Sequence, residues 1–128
     1  MTYLATSINN SATISEKAGA TIADVRGKGV KYDGNGNVVL CSTANEKVLG
    51  VGIMTNDENI AAGGDVDIQV KDIGVVLAGG TIAKGDELAV TATGAFAKST
   101  TGYIAAIALE AAATAGAYIK ARLVNYKI

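Results

Sequence analysis

Histidine, proline and tryptophan are absent from this 128-residue chain, and cysteine and phenylalanine occur once each. Without histidine there is no Ser-His-Asp or Cys-His nucleophile and no His-based zinc site. The single cysteine, Cys41, excludes an intrachain disulfide framework. It lies in the run VVLCS with no basic neighbour to lower its pKa, so it reads as a small buried hydrophobe. The apolar share is 49%, but with so few large aromatics the core must be thin, built from Val, Ile, Leu and Ala. Association is one way for such a chain to bury more surface. Missing prolines also leave strand edges without one common guard against pairing.

An excess of one charge is lacking too. Lys plus Arg is 11 and Asp plus Glu is 12, for a net charge of −1. Arg26, Lys28 and Lys31 are interrupted by Gly and Val, so no basic patch forms, which argues against a general nucleic-acid binder. No apolar run approaches a membrane span. Met1–Asn10 has neither the charged start nor the apolar middle of a secretory signal. The expectation is a soluble, intracellularly made protein with no cofactor.

What the chain does contain is an echo of itself. Ala18–Gly34, AGATIADVRGKGVKYDG, and Ala78–Gly94, AGGTIAKGDELAVTATG, align without a gap. Ala18/Ala78, Gly19/Gly79, Thr21/Thr81, Ile22/Ile82, Ala23/Ala83, Val30/Val90 and Gly34/Gly94 are identical in that frame. Residues 1–15 read as a polar N-terminal arm, either frayed or ordered on a partner. Residues 16–128 read as a single β domain of two units, about 18–70 and 75–124. In the first unit, Gly29–Tyr32 and Val38–Cys41 flank an Asn/Gly turn and predict a hairpin. Lys47–Met54 predicts a buried strand, with Gly50 and Gly52 marking close backbone approach. Asp65–Val70 alternates strictly, with one dry and one wet face.

The second unit repeats that order. Glu87–Ala92 and Ala95–Lys98 form its hairpin, and Gly116–Leu123 answers Gly63–Val70. Tyr103–Ala115 is Ala-rich enough for a helix. Its counterpart contains Gly50 and Gly52, so Tyr103–Leu109 is predicted as a strand, with a short helical turn at Glu110–Ala113. Short strands at close spacing point to an all-β fold, a small antiparallel β-sandwich or barrel.

No catalytic or metal-binding constellation emerges. Asp33, Asn35 and Asn37 have the spacing that opens a calcium loop, but the following Gly and the closing Glu are missing, and a hairpin turn explains them. Asp57/Glu58, Asp65/Asp67 and Asp86/Glu87 are paired carboxylates that read as solvated surface. Tyr3, Tyr32, Tyr103, Tyr118 and Tyr126 either fill the core or form contact surface.

The run VVLAGGTIAKGDELAV at Val75–Val90, then TGAF at Thr93–Phe96 and IAAIALEAAATAG at Ile104–Gly116, resembles the bacteriophage capsid decoration, or cement, proteins. In the first unit Val48–Ile53 carries the Gly-containing form of that element, while Val25-Arg26 stand where Gly85-Asp86 are expected. The resemblance implies a non-enzymatic virion protein, made in the host cytoplasm, that binds the outside of the mature capsid through the major capsid protein. It further implies a homo-oligomer, by preference a trimer. Candidate contact residues are Thr2, Tyr3, Leu4, Ser7, Asn9 and Asn10 of the arm, Asp33, Asn35 and Asn37, and Asn56, Asp57 and Glu58. The same β chemistry also suits a tail, fibre or spike component, or, less well, a small β-barrel ligand-binding domain.

Overall fold

The computed structural model describes residues 11–128, and these residues are all-β. The strands of the first unit are β1 (Thr13–Lys17), β2 (Ile22–Ala23), β3 (Gly29–Tyr32), β4 (Val38–Leu40), β5 (Gly50–Gly52), β6 (Asn59–Ile60) and β7 (Asp65–Gln69). Those of the second are β8 (Ile73–Leu77), β9 (Glu87–Val90), β10 (Phe96–Lys98), β11 (Tyr103–Ala108) and β12 (Tyr118–Lys127).

Two five-stranded antiparallel sheets result, in the orders β1-β7-β5-β3-β4 and β8-β12-β11-β9-β10. The path is the same in both, so the fold is a β-sandwich of two like units. Hydrogen bonds repeat as well. Ala18 N donates to Gly64 O and Gly63 N to Ala18 O, while Ala78 N donates to Ala117 O and Gly116 N to Ala78 O. The small β2–β6 pair has its counterpart in a bridge between Ile82 and Ala112.

Period-2 alternation sets the inner faces. On β7, Val66 and Ile68 are fully buried whereas Asp65 is exposed. They join Ala18, Ile22, Val25, Val30, Val38 and Ile60 in one core. The second core holds Val76, Leu88, Val90, Phe96, Ile119 and several alanines, and takes Cys41, Val48 and Val51 from the first unit. Main-chain bonds stitch the same junction: Gly29 N to Gly94 O (2.8 Å), Leu77 N to Gly27 O (2.8 Å) and Asn45 N to Val90 O (2.9 Å). Phe96 reaches the seam, and a Cβ placed on Gly29 would lie 3.3 Å from its Cζ atom. The same Cβ would lie 3.0 Å from Val90 Cγ2, so glycine here spares the seam side chains a shift of a few tenths of an ångström.

The gap-free frame needs correcting beyond Ile22. Tyr32 pairs with Val38, and Val90 with Phe96. Val90 therefore answers Tyr32, not Val30. Gly36 (φ 82°) and Gly94 (φ 89°) share the left-handed turn position, so Gly94 answers Gly36, not Gly34; a residue with a Cβ is disfavoured there. The first unit has two extra residues before β3. Gly27 N donates to Gly52 O as Gly85 N does to Ala108 O, so the glycine expected at Val25 stands at 27.

Three boundaries also move. Thr13–Ser15, assigned to the arm by their polarity, belong to β1 and pair with β7. Within Lys47–Met54 only Gly50–Gly52 is regular strand, although Leu49 N and Ile53 N on either side still donate to Val30 O and Asp67 O of the first unit. Glu110–Ala113 forms bends and a bridge, not a helical turn, since Ala112 exchanges backbone bonds with Ile82.

Candidate functional site

The arm residues Thr2, Tyr3, Leu4, Ser7, Asn9 and Asn10 lie outside the described residues. Asp33, Asn35 and Asn37 form the β3–β4 turn. Asp33 Oδ1 accepts from the N–H groups of Asn35 (2.8 Å) and Asn37 (3.0 Å), so this carboxylate is occupied in holding the hairpin. Asp57 and Glu58 are exposed, but Asn56 is buried. Its side-chain nitrogen donates to Ile53 O (3.0 Å) and Asp67 O (2.7 Å), and its oxygen accepts from Asp67 N (2.9 Å). Asn56 thus latches the loop to β7 and does not present itself to a partner. Asn56→Ala strands these main-chain groups and is expected to lower stability by about 1–3 kcal/mol, read as a shifted urea midpoint.

The remaining carboxylates are spread over different strands and held by local partners. Lys17 Nζ lies 2.6 Å from Asp65, and the Ser15 hydroxyl donates to Asp67. Asp86 accepts from Ala83 N at 2.8 Å, and Glu87 accepts from the Tyr126 hydroxyl. Burial pushes the Cys41 thiol up to about 12, so it stays protonated. Tyr32, Tyr118 and Tyr126 are exposed, which assigns them to surface and not to core.

Glu46 is the most tightly engaged acid. Burial raises its carboxyl, but the Lys31 ammonium at 2.9 Å and the Thr43 and Ser42 N–H groups outweigh that effect and hold it below the usual range. A carboxyl depressed in the folded state contributes stability above its unfolded pKa, about 4.3. That contribution is lost as pH falls through its lower folded value. Glu46→Gln is therefore expected to flatten the acid limb of a stability–pH profile below about pH 4.5.

A different surface stands out when equivalent positions of the two units are compared. In β1–β7 the outward cross-strand pairs are Thr13/Gln69, Ser15/Asp67 and Lys17/Asp65. In β8–β12 the same places hold Ile73/Arg122, Val75/Lys120 and Leu77/Tyr118. The first set is polar, and two of its pairs are closed by their own bonds. The second exposes Ile73 at 57%, Val75 at 38% and Tyr118 at 43%. Among the described residues, neither Lys120 nor Arg122 is in a salt bridge. A groove of about 310 Å³ runs beside β8, lined by Val51, Met54, Gln69, Ile73, Val75 and Lys120. Gln69 Nε2 donates to Ile73 O within the groove, and further along β8 Leu77 N donates to Gly27 O. Main-chain alternation puts Val75 N–H and C=O on that same outer edge.

No family model and no curated protein sequence matches this chain. A solved structure does: the head fiber gp8.5 N base of bacteriophage phi29, with TM-score 0.64 and 16% identity. The alignment covers 91% of this chain and 96% of that one. At this identity the shared property is the fold.

Of the residues on this face the sequence marked only Tyr118, as core or contact surface; Ile73, Val75, Lys120 and Arg122 carry no local signal. The usable signal was the repeat itself, extended back to Thr13 so that the two edges can be compared.

Proposed function

We propose that this chain is a non-enzymatic structural protein of a bacteriophage virion that binds the outer surface of the mature capsid and stabilises it. The observation carrying this reading is the doubled β unit, whose fold is shared along nearly the whole chain with a phage head fiber base. The decoration-protein resemblance of Val75–Gly116 supports the same assignment. The partner in this reading is the major capsid protein, and the chain acts as a homo-oligomer, with a trimer favoured. Purified protein should co-sediment saturably with expanded capsids of its phage and not with unexpanded shells. Absence of binding to either shell sinks the reading.

A second reading, a fibre or other assembly component, draws on the same structural likeness, because the matched protein is itself a head fiber. In that case the protein binds a fibre or tail partner in pull-downs from particles and leaves shell stability unchanged.

A further inference from the structure

The β8–β12 face differs from its internal counterpart in a directed way. Strand pairing is equivalent at this edge of the two units, yet Thr13, Ser15 and Lys17 of the first give way to Ile73, Val75 and Leu77 in the second. Exposed apolar edge residues favour pairing with another chain, and this edge has no proline and no charge between Ile73 and Leu77. The neighbouring strand replaces Asp65, Asp67 and Gln69 with Tyr118, Lys120 and Arg122. The face therefore offers an apolar strip bordered by cations that the described residues leave out of salt bridges.

We infer that this face docks an extended, carboxylate-bearing segment of the capsid partner. One apolar side chain of that segment seats in the groove between Met54 and Val75, and its acidic neighbours meet Lys120 and Arg122. Charge complementarity selects the occupant: a basic segment is repelled by both cations, and a neutral one leaves them without partners. Val75 N–H and C=O, lying on the β8 edge between the bonds that Ile73 O and Leu77 N make to Gln69 and Gly27, suit a short stretch of β pairing. The inference rests on the capsid-binding reading and names the chemistry of its contact.

The test compares wild-type protein with surface variants in co-sedimentation on expanded capsids. Ile73→Ser and the double variant Lys120→Glu/Arg122→Glu are each expected to bind at least about tenfold more weakly. Asp67→Lys, on the equivalent strand of the first unit, is expected to bind within about twofold of wild type. Wild-type binding should fall with added salt, and the double variant should lose most of that dependence. All of these side chains are at the surface, and thermal melts of each variant confirm folding before binding is read. If wild type binds and the β8–β12 variants bind equally well, the inference is overturned while capsid binding stands. Loss of self-association with capsid binding intact also overturns it, assigning the face to a second copy. If wild type itself fails to bind, the capsid reading fails first.

Discussion

Truncation of Phe96 to alanine is expected to destabilise the protein by about 3–5 kcal/mol. Phe96 is the only phenylalanine, is completely buried, and belongs to the second core cluster. In the first unit its equivalent is Val38, which fills the same place with a smaller side chain. The larger ring spans the seam to Gly29, so its loss opens a cavity shared by both units. With so few aromatics elsewhere, the surrounding alanines and valines cannot collapse into that space. Urea unfolding should show one transition moved to lower denaturant by both tryptophan-independent fluorescence of tyrosine and circular dichroism. A variant that unfolds in two separate steps, with the first unit unaffected, contradicts the shared seam.

Gly52→Ala is expected to cost about 1–3 kcal/mol or more, although its counterpart in the second unit is already an alanine. A Cβ on Gly52 would clash with the Val25 carbonyl oxygen and lie 2.8 Å from Val25 Cγ2. Carbonyl oxygens in a packed backbone have nowhere to go, so the strand must shift. The difference to which the tolerance of the equivalent Ala108 is attributed is the pair of residues that the first unit adds before β3. Ala108→Gly should therefore have a smaller effect, of about 0.5–1 kcal/mol, and the contrast between the two sites in matched urea melts checks the explanation. Equal effects at both sites would mean that the extra loop residues do not set the clearance.

Much of this fold was legible in the sequence because its signals are local. Asn and Gly between apolar runs mark both hairpins, and strict alternation marks β7. The duplication resolved Tyr103–Leu109 as strand against its own Ala-rich helical propensity. The register of the repeat was not legible, because Val30 and Val90 happen to coincide in a gap-free frame while the backbone carries two further residues in the first unit. Asn56 misled for a different reason. A polar residue in a polar loop has the same one-dimensional appearance whether it meets water or caps the main chain of β7. The β8–β12 face was not legible because the two copies differ there, and its side chains meet only through strand pairing between distant parts of the chain.

In the proposed function this protein is bound to the outside of the capsid. Cryo-electron microscopy of its phage particles, with and without the protein, tests that directly. Added density is expected at symmetric positions over the head lattice, disappearing from particles that lack the protein. Density confined to the tail, or to isolated fibres without occupancy of the lattice, would contradict it.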